Sequence, residues 1–400
     1  MPFARITATS LLACALPAQT LIWPGERIST IDAPHLRAHV PTESAERLEP
    51  LIARADQIYA HMIDDAGFEP QEKLHLLVSD WTDSHNGYSF VVPFPLVQLE
   101  LAPAMPGSPI FAGGMDSERT LVHEFAHQIS NDRNGGGRGV LESIFGRVLP
   151  NDLLSLLLWY ASTPAHQTMP RFWQEGLGVW AETSYADPTS AWAGRGRDSL
   201  THMIWRLDAA TGGIPDESQW RITQQEWPFG SAAYHYGTAY TRFLEGKFGD
   251  RASVWRIVRE QARQWAFLFD RGARDIVGER HGELLAEARR NLLREQLGIV
   301  ETLKASGLTR LRRLTPDGML LGAPAWDADG SLVFAGKSAH GRARLHRLSG
   351  DGEPVSTWDP TLALGAVRAL PDGGITYHEY DWRGYSYVVV ATEHGTSRVG

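Results

Sequence analysis

The sequence predicts an α+β fold class, with a mixed body followed by a tail built of strands. Three observations carry this. Between residues 42 and 306, stretches with apolar residues at spacings of three and four alternate with short runs of strand formers. After about residue 307 the helical spacing stops, and strand-like runs separated by Asp-Gly, Gly-Asp-Gly and Gly-Gly take over. Within that tail, two stretches look alike.

The elements follow in chain order. Arg5, a short apolar run and small residues near its end read as a signal peptide over residues 1–15, with Ala13-Cys14-Ala15 as the cleavage site. In a second reading, Leu11-Leu12-Ala13-Cys14 is a lipobox and Cys14 a lipid anchor, although Leu12 is not the usual small residue. Both readings predict export, as a periplasmic or secreted protein or as a membrane-anchored lipoprotein. The plain alternative is an apolar N-terminus of a cytosolic chain. Residues 42–62 predict an amphipathic helix, with Pro50 as a kink or a start. Leu74 to Val78 predicts a buried strand. The segment from Tyr88 to Leu101, interrupted by Pro93 and Pro95, predicts an edge strand or a hairpin.

A helix is expected from Asp116-Ser117, both good N-cap types, with Val122, Phe125, Ala126 and Ile129 on its apolar side. Gly135-Gly136-Gly137 should stop it. Further helices are expected near 152–160, 171–183, 232–248 and 282–305. In the tail, PAWDADGSLVFAG (324–336) matches RALPDGGITYHE (368–379), placing Ile375 43 positions after Leu332. That period is typical of β-propeller blades. A propeller closes with about four to eight blades, and residues 307–400 hold about two. The tail is therefore expected to be a partial β-propeller, as a fragment of a longer protein or as an appended sheet.

Composition bounds the function. At 43% hydrophobic and 21% charged residues, the chain can bury a real core. A net charge of −9 offers no broad basic footprint for nucleic acid or an anionic membrane. No run approaches the ~18–20 apolar residues of a transmembrane span. Cys14 is the one cysteine, which excludes an intramolecular disulfide framework and cysteine-ligated metal. Fourteen Trp and 39 Gly hint at a β-rich part with many tight turns.

The chemistry concentrates in His123-Glu124-Phe125-Ala126-His127. Residues four apart share a helix face, so His123 and His127 can both aim a ring nitrogen at one metal ion. Glu124 beside them can take a proton from water that such an ion has acidified. Coincidence is the competing account: two histidines on a solvated helix face. A catalytic zinc site needs a third protein ligand, and Glu175, on the helix after Pro170, is the natural candidate against an ordinary surface carboxylate. Glu182, two turns on, either orients a ligating histidine or is solvated; the expectation leans to solvated.

These segments resemble the gluzincin (thermolysin-like, HExxH...E) zinc metallopeptidases, more narrowly the bacterial type fused to a TolB-like β-propeller. The resemblance rests on VSDWTDSHNGYS (78–89), HEFAH (123–127), FWQEGLGVW (172–180) and AAYHYGTAYTRFLEGKFGD (232–250), together with the propeller-like tail. It implies a thermolysin-like metallopeptidase domain over 16–306 and a Zn2+ cofactor held by His123, His127 and Glu175. It further implies Glu124 as general base, and a peptide or protein substrate. It also points to a tyrosine donor for the oxyanion: Tyr234 aligns with a Tyr-x-x-Gly element, with His235, Tyr236 and Tyr240 as near competitors. The linker of 48 positions from His127 to Glu175 is far longer than in aminopeptidase relatives, and its apolar part (143–161) either caps the cleft or packs beside it. No Gly-x-Met-x-Asn-type exopeptidase element precedes His123, which tilts the expectation toward endopeptidase action. The alternative from a different class is a catalytically inert binding or scaffold protein that recruits a protein partner through its propeller. A hydrolase acting on something other than peptides is a third reading.

Overall fold

The computed structural model describes residues 25–81, 85–102, 117–185, 194–221, 227–228, 230–265, 268–309, 312, 314, 319–320, 324–337, 343–358, 364–381, 385–392 and 394–399. The leader, including Cys14, and Asp116 lie outside the described residues. The body starts with a five-stranded sheet of order β1-β2-β3-β5-β4. Its strands are β1 (Ile28–Asp32), β2 (Leu36–Pro41), β3 (Leu74–Ser79), β4 (His85–Phe90) and β5 (Leu96–Leu101). The pairs β2/β3 and β3/β5 are parallel, whereas β1/β2 and β4/β5 are antiparallel. Helix α1 (Ala45–Ala66) connects β2 to β3 and buries Leu48, Ile52, Ala55, Tyr59, Met62 and Ala66 at helical spacing. Pro50 lies inside α1, which runs on unbroken to Gly67.

The segment 88–101 is a hairpin, as one of the two sequence readings has it, but the strand boundaries differ. The edge strand is β4, which begins at His85, while β5 is interior, between β3 and β4. Pro93 and Pro95 fall in the connection, where no ladder donor is needed. Helix α2 (Ser117–Asn131) packs on α1, with Phe125 5.1 Å from Tyr59 between ring centroids. It ends before the glycine run, and those glycines open a new helix, α3 (Gly136–Phe145), which the sequence reading did not foresee. Gly136 turns the chain there at φ +58°, a value that glycine enters without steric cost. Helix α4 (Leu153–Ser162) follows, capped by Asp152 and Ser155 in a reciprocal capping box.

The remaining helices are α5 (Arg171–Ser184), α6 (Ser199–Thr211), α7 (Ala232–Phe248), α8 (Arg251–Gln261), α9 (Arg274–Val277) and α10 (His281–Ala305). Their core is aromatic. Trp173, Trp180, Trp205 and Trp255 are fully buried here, so the tryptophan content belongs chiefly to the helical body and not to a β-rich part. Helices α5 and α7 cross at a pair of glycines. A Cβ on Gly237 would stand 2.0 Å from the Phe172 carbonyl oxygen and 2.7 Å from Gly176 Cα. Two backbones can meet this closely only where neither residue has a side chain.

Beyond α10, every described element is a strand. One sheet has the order β10-β9-β8-β6, with β7 also paired to β8. Its strands are β6 (Met319–Leu320), β7 (Ala325–Trp326), β8 (Leu332–Lys337), β9 (Arg344–Leu348) and β10 (Pro354–Trp358). The other is a four-stranded antiparallel meander of β11 (Leu364–Ala369), β12 (Ile375–Tyr380), β13 (Ser386–Thr392) and β14 (Gly395–Val399). The 43-residue repeat superposes β8 on β12, each following a turn that closes on itself: Asp327 N donates to Ser331 O, and Leu370 N to Gly374 O. Val333, Ala335, Leu345, Val367, Ile375, Tyr377 and Val389 form the core of the tail. Among the described residues these sheets do not close a propeller, and no helix is long and apolar enough to cross a membrane.

The glycine crossing makes a sharp prediction. Gly237→Ala should lose about 3 kcal/mol or more of stability, because the clash is with backbone and cannot be relieved by a rotamer change. Gly246→Ala, on the same helix with nothing within 4 Å of its added Cβ, should be neutral or gain up to about 1 kcal/mol from helix propensity. Denaturant unfolding of both variants checks this.

Candidate metal centre

Helix α2 carries His123, Glu124 and His127 inward, with His123 and Glu124 only 5% and 7% exposed. The companion carboxylate comes from α5, which packs directly on α2. The donor atoms converge: His123 Nε2 lies 3.0 Å from His127 Nε2 and 3.3 Å from Glu175 Oε2. His127 Nε2 is 3.4 Å from the same oxygen. Donors placed tetrahedrally around zinc at about 2.0–2.1 Å stand about 3.3 Å apart. The three observed separations bracket that value, so the residues fit the ion that the motif implies.

Electrostatics point the same way. Burial opposes charge on His123, yet the Glu175 and Glu182 carboxylates, which accept hydrogen bonds from its ring, hold its pKa up at about 9. Burial likewise pushes Glu175 upward, but the two histidines hold its carboxyl well below the usual range. The pocket thus favours positive charge at the point where the donors meet.

Glu182 corrects the expectation that it is solvated. It is 2% exposed, and His123 Nδ1 donates to its Oε1 at 2.8 Å. A carboxylate only accepts, so this bond keeps a proton on Nδ1, and Nε2 is the nitrogen whose lone pair would be left to a metal ion. Arg195 closes the arrangement: its Nε donates to both Glu182 oxygens at 3.0 and 3.1 Å, and its backbone N–H donates at 3.2 Å. Burial alone would raise Glu182, but Arg195 and His123 hold it far below the ordinary carboxylate range.

Two glycines make the room. A Cβ on Gly178 would fall 2.4–2.7 Å from the His123 ring. One on Gly87 of β4 would fall 2.7 Å from Glu124 Cγ. Strand β4 is tied to α2 by His85 Nε2, 2.9 Å from Thr120 Oγ1, and by Ser89 Oγ, which donates to Gln128 at 3.0 Å. Burial raises the Glu124 carboxyl above its ordinary value, with His127 and His123 opposing.

The structure separates the four competitors on α7. Tyr234 lines the cleft, its ring stacked 6.1 Å from that of His123, and Arg171 Nη2 donates to its hydroxyl at 3.4 Å. Burial and then Glu175 push its pKa up to about 12, so it stays a protonated donor. His235 turns away to Thr201 at 2.9 Å, Tyr236 stacks on Trp220 and bonds Asp208, and Tyr240 bonds His281 at 2.6 Å. The cleft holds about 390 Å³, and β4 residues 86–90 form one wall. Arg195, Gly87 and Gly178 were missed by sequence reasoning. A second glycine inside the helical run EGLGVW was the available signal, since glycine there costs stability and needs a packing reason.

No known family profile matches the chain, and none of the curated proteins is detectably similar to it.

The second carboxylate yields a test. Glu182→Gln keeps the shape but weakens the hold on His123, and should lower zinc affinity about 10- to 100-fold. Competition against a chromophoric chelator measures this, and an unchanged affinity would leave Glu182 without its assigned role.

Proposed function

We propose that the chain is a zinc-dependent peptidase of the gluzincin type. The observation that carries this is the convergence of His123, His127 and Glu175 donors at 3.0–3.4 Å, with Glu124 facing the same cleft. His123, His127 and Glu175 would hold the ion. When bound, it would supply Lewis-acid polarisation of a carbonyl and acidify water near neutral pH.

The chain's own residues do the rest. Glu124, desolvated and with its pKa raised, takes the proton of the attacking water and delivers it to the leaving amine. Tyr234, kept protonated, donates its hydroxyl to the oxyanion that develops on the substrate. Strand β4 is a sheet edge along the cleft, so an extended peptide can pair with it as an added strand and lie across the metal donors. Gly87 packs against the base, and Tyr88 and Phe90 offer half-exposed aromatic faces to substrate side chains. A site that serves extended chains suits an endopeptidase. The repeat-bearing tail is a surface for a protein partner in this reading, and the leader motif supports export.

Glu124→Gln should retain zinc and lose at least about 10³ in kcat, because the base is removed while the ligands stay. Tyr234→Phe should lose about 10²–10³ in kcat with little change in KM. Steady-state hydrolysis of a fluorogenic peptide with zinc analysis checks both. Full activity of Glu124→Gln would overturn the mechanism.

A further inference from the structure

The long insert between His127 and Glu175 folds as a helical hairpin, α3 and α4, whose polarity is reversed. Apart from Asp152, exposed where it caps the start of α4, its charged side chains face the body. Arg138 donates to the Thr163 carbonyl and stacks on Trp265, and Glu142 accepts from Asn134. Arg147, from the loop between the two helices, pairs with Asp132 and Glu72, each at 2.8 Å. The outward face is apolar: Leu153 is 72% exposed, Leu154 68%, Ile144 65% and Leu157 60%. Helix α4 contains no charged residue at all. A solvated helix shows the opposite pattern, so this face is built to be covered.

Its size and chemistry select the cover. Nine of the 24 large hydrophobics that stand exposed among the described residues lie between 140 and 160. Their exposed area is roughly 900 Å², beyond the ~300–600 Å² of the largest patch on a typical monomer. It matches the ~800 Å² that each partner gives to a stable interface. The face is also pinned before any partner arrives, by the capping box of α4 and the ion pairs of Arg147, so little ordering cost opposes association.

We infer that this face pairs with the same face of a second copy. An isologous contact brings each surface onto itself, so any charge near the axis would meet its like. A charge-free α4 meets that requirement, and two hairpins would supply the four helices of an antiparallel bundle. A bilayer fits less well. The ten residues of α4 span only ~15 Å, about half of a hydrocarbon core, and the chain's charge of −9 repels anionic lipid. This inference is independent of the proposed hydrolysis.

Sedimentation velocity of the purified protein over micromolar concentrations tests it. The wild type should run as a two-chain particle that dissociates on dilution. Leu153→Glu/Leu157→Glu, at exposed sites that leave the fold and its melting temperature unchanged, should raise the dissociation constant about 100-fold or more. Leu303→Glu, exposed on α10, should leave the dimer intact. A wild type that stays a single chain throughout would overturn the inference, as would a dimer that survives the double substitution. Dissociation by Leu303→Glu would overturn it too, by showing a general charge effect. A single chain that co-sediments with phosphatidylcholine vesicles would overturn it in favour of lipid.

Discussion

His123 is held at both ring nitrogens by two carboxylates from one helix, and the rest of the site depends on that grip. Glu175 and Glu182 are seven residues apart on α5, two helical turns, so both reach the ring that α2 presents. The arrangement demands that α5 lie close against α2, and Gly178 supplies the space. It demands equally that α7 lie close against α5, and Gly176 with Gly237 supply that. Burying three carboxylates would be costly in isolation. Arg195 and the two histidines offset the charge, and the aromatic core packed behind α5 holds the helices in register.

Much of the body was legible because its signals are local. The stripe of α2 repeats at helical spacing, α1 forms over the expected amphipathic stretch, and α7 runs over the predicted residues 232–248. Helix α3 was hidden because glycines read as a stop, whereas here they turn the chain into a new helix. Helix α8 begins right after Gly249 with Asp250 as its cap, a start signal masked by the stop that precedes it. That β4 and not β5 takes the edge was not legible, since strand order is a property of pairing across the chain and not of any one segment.

The site divides in the same way. His123, Glu124 and His127 are neighbours on one helix, so their spacing alone made them visible, and Glu175 stood out in a second local element. Glu182 was misjudged because spacing does not say whether a helix face is packed or solvated. Arg195 arrives from a separate segment, and no local pattern in the sequence pairs it with Glu182. The 43-residue repeat was visible as sequence and is present as two turn-strand units, but closure of a ring is a global property that a repeat alone does not supply. The apolar hairpin was visible as composition, and only the inward turn of Arg138, Glu142 and Arg147 distinguishes an interface from a misplaced core.

We propose that the donors of α2 and α5 form a zinc site that serves hydrolysis of peptides. The most direct measurement is cleavage of a peptide library by the purified protein, before and after a chelator and again after zinc is restored. Cleavage should disappear on chelation and return with about one zinc per chain. Cleavage indifferent to the chelator, or zinc-loaded protein that leaves every peptide intact, would contradict it.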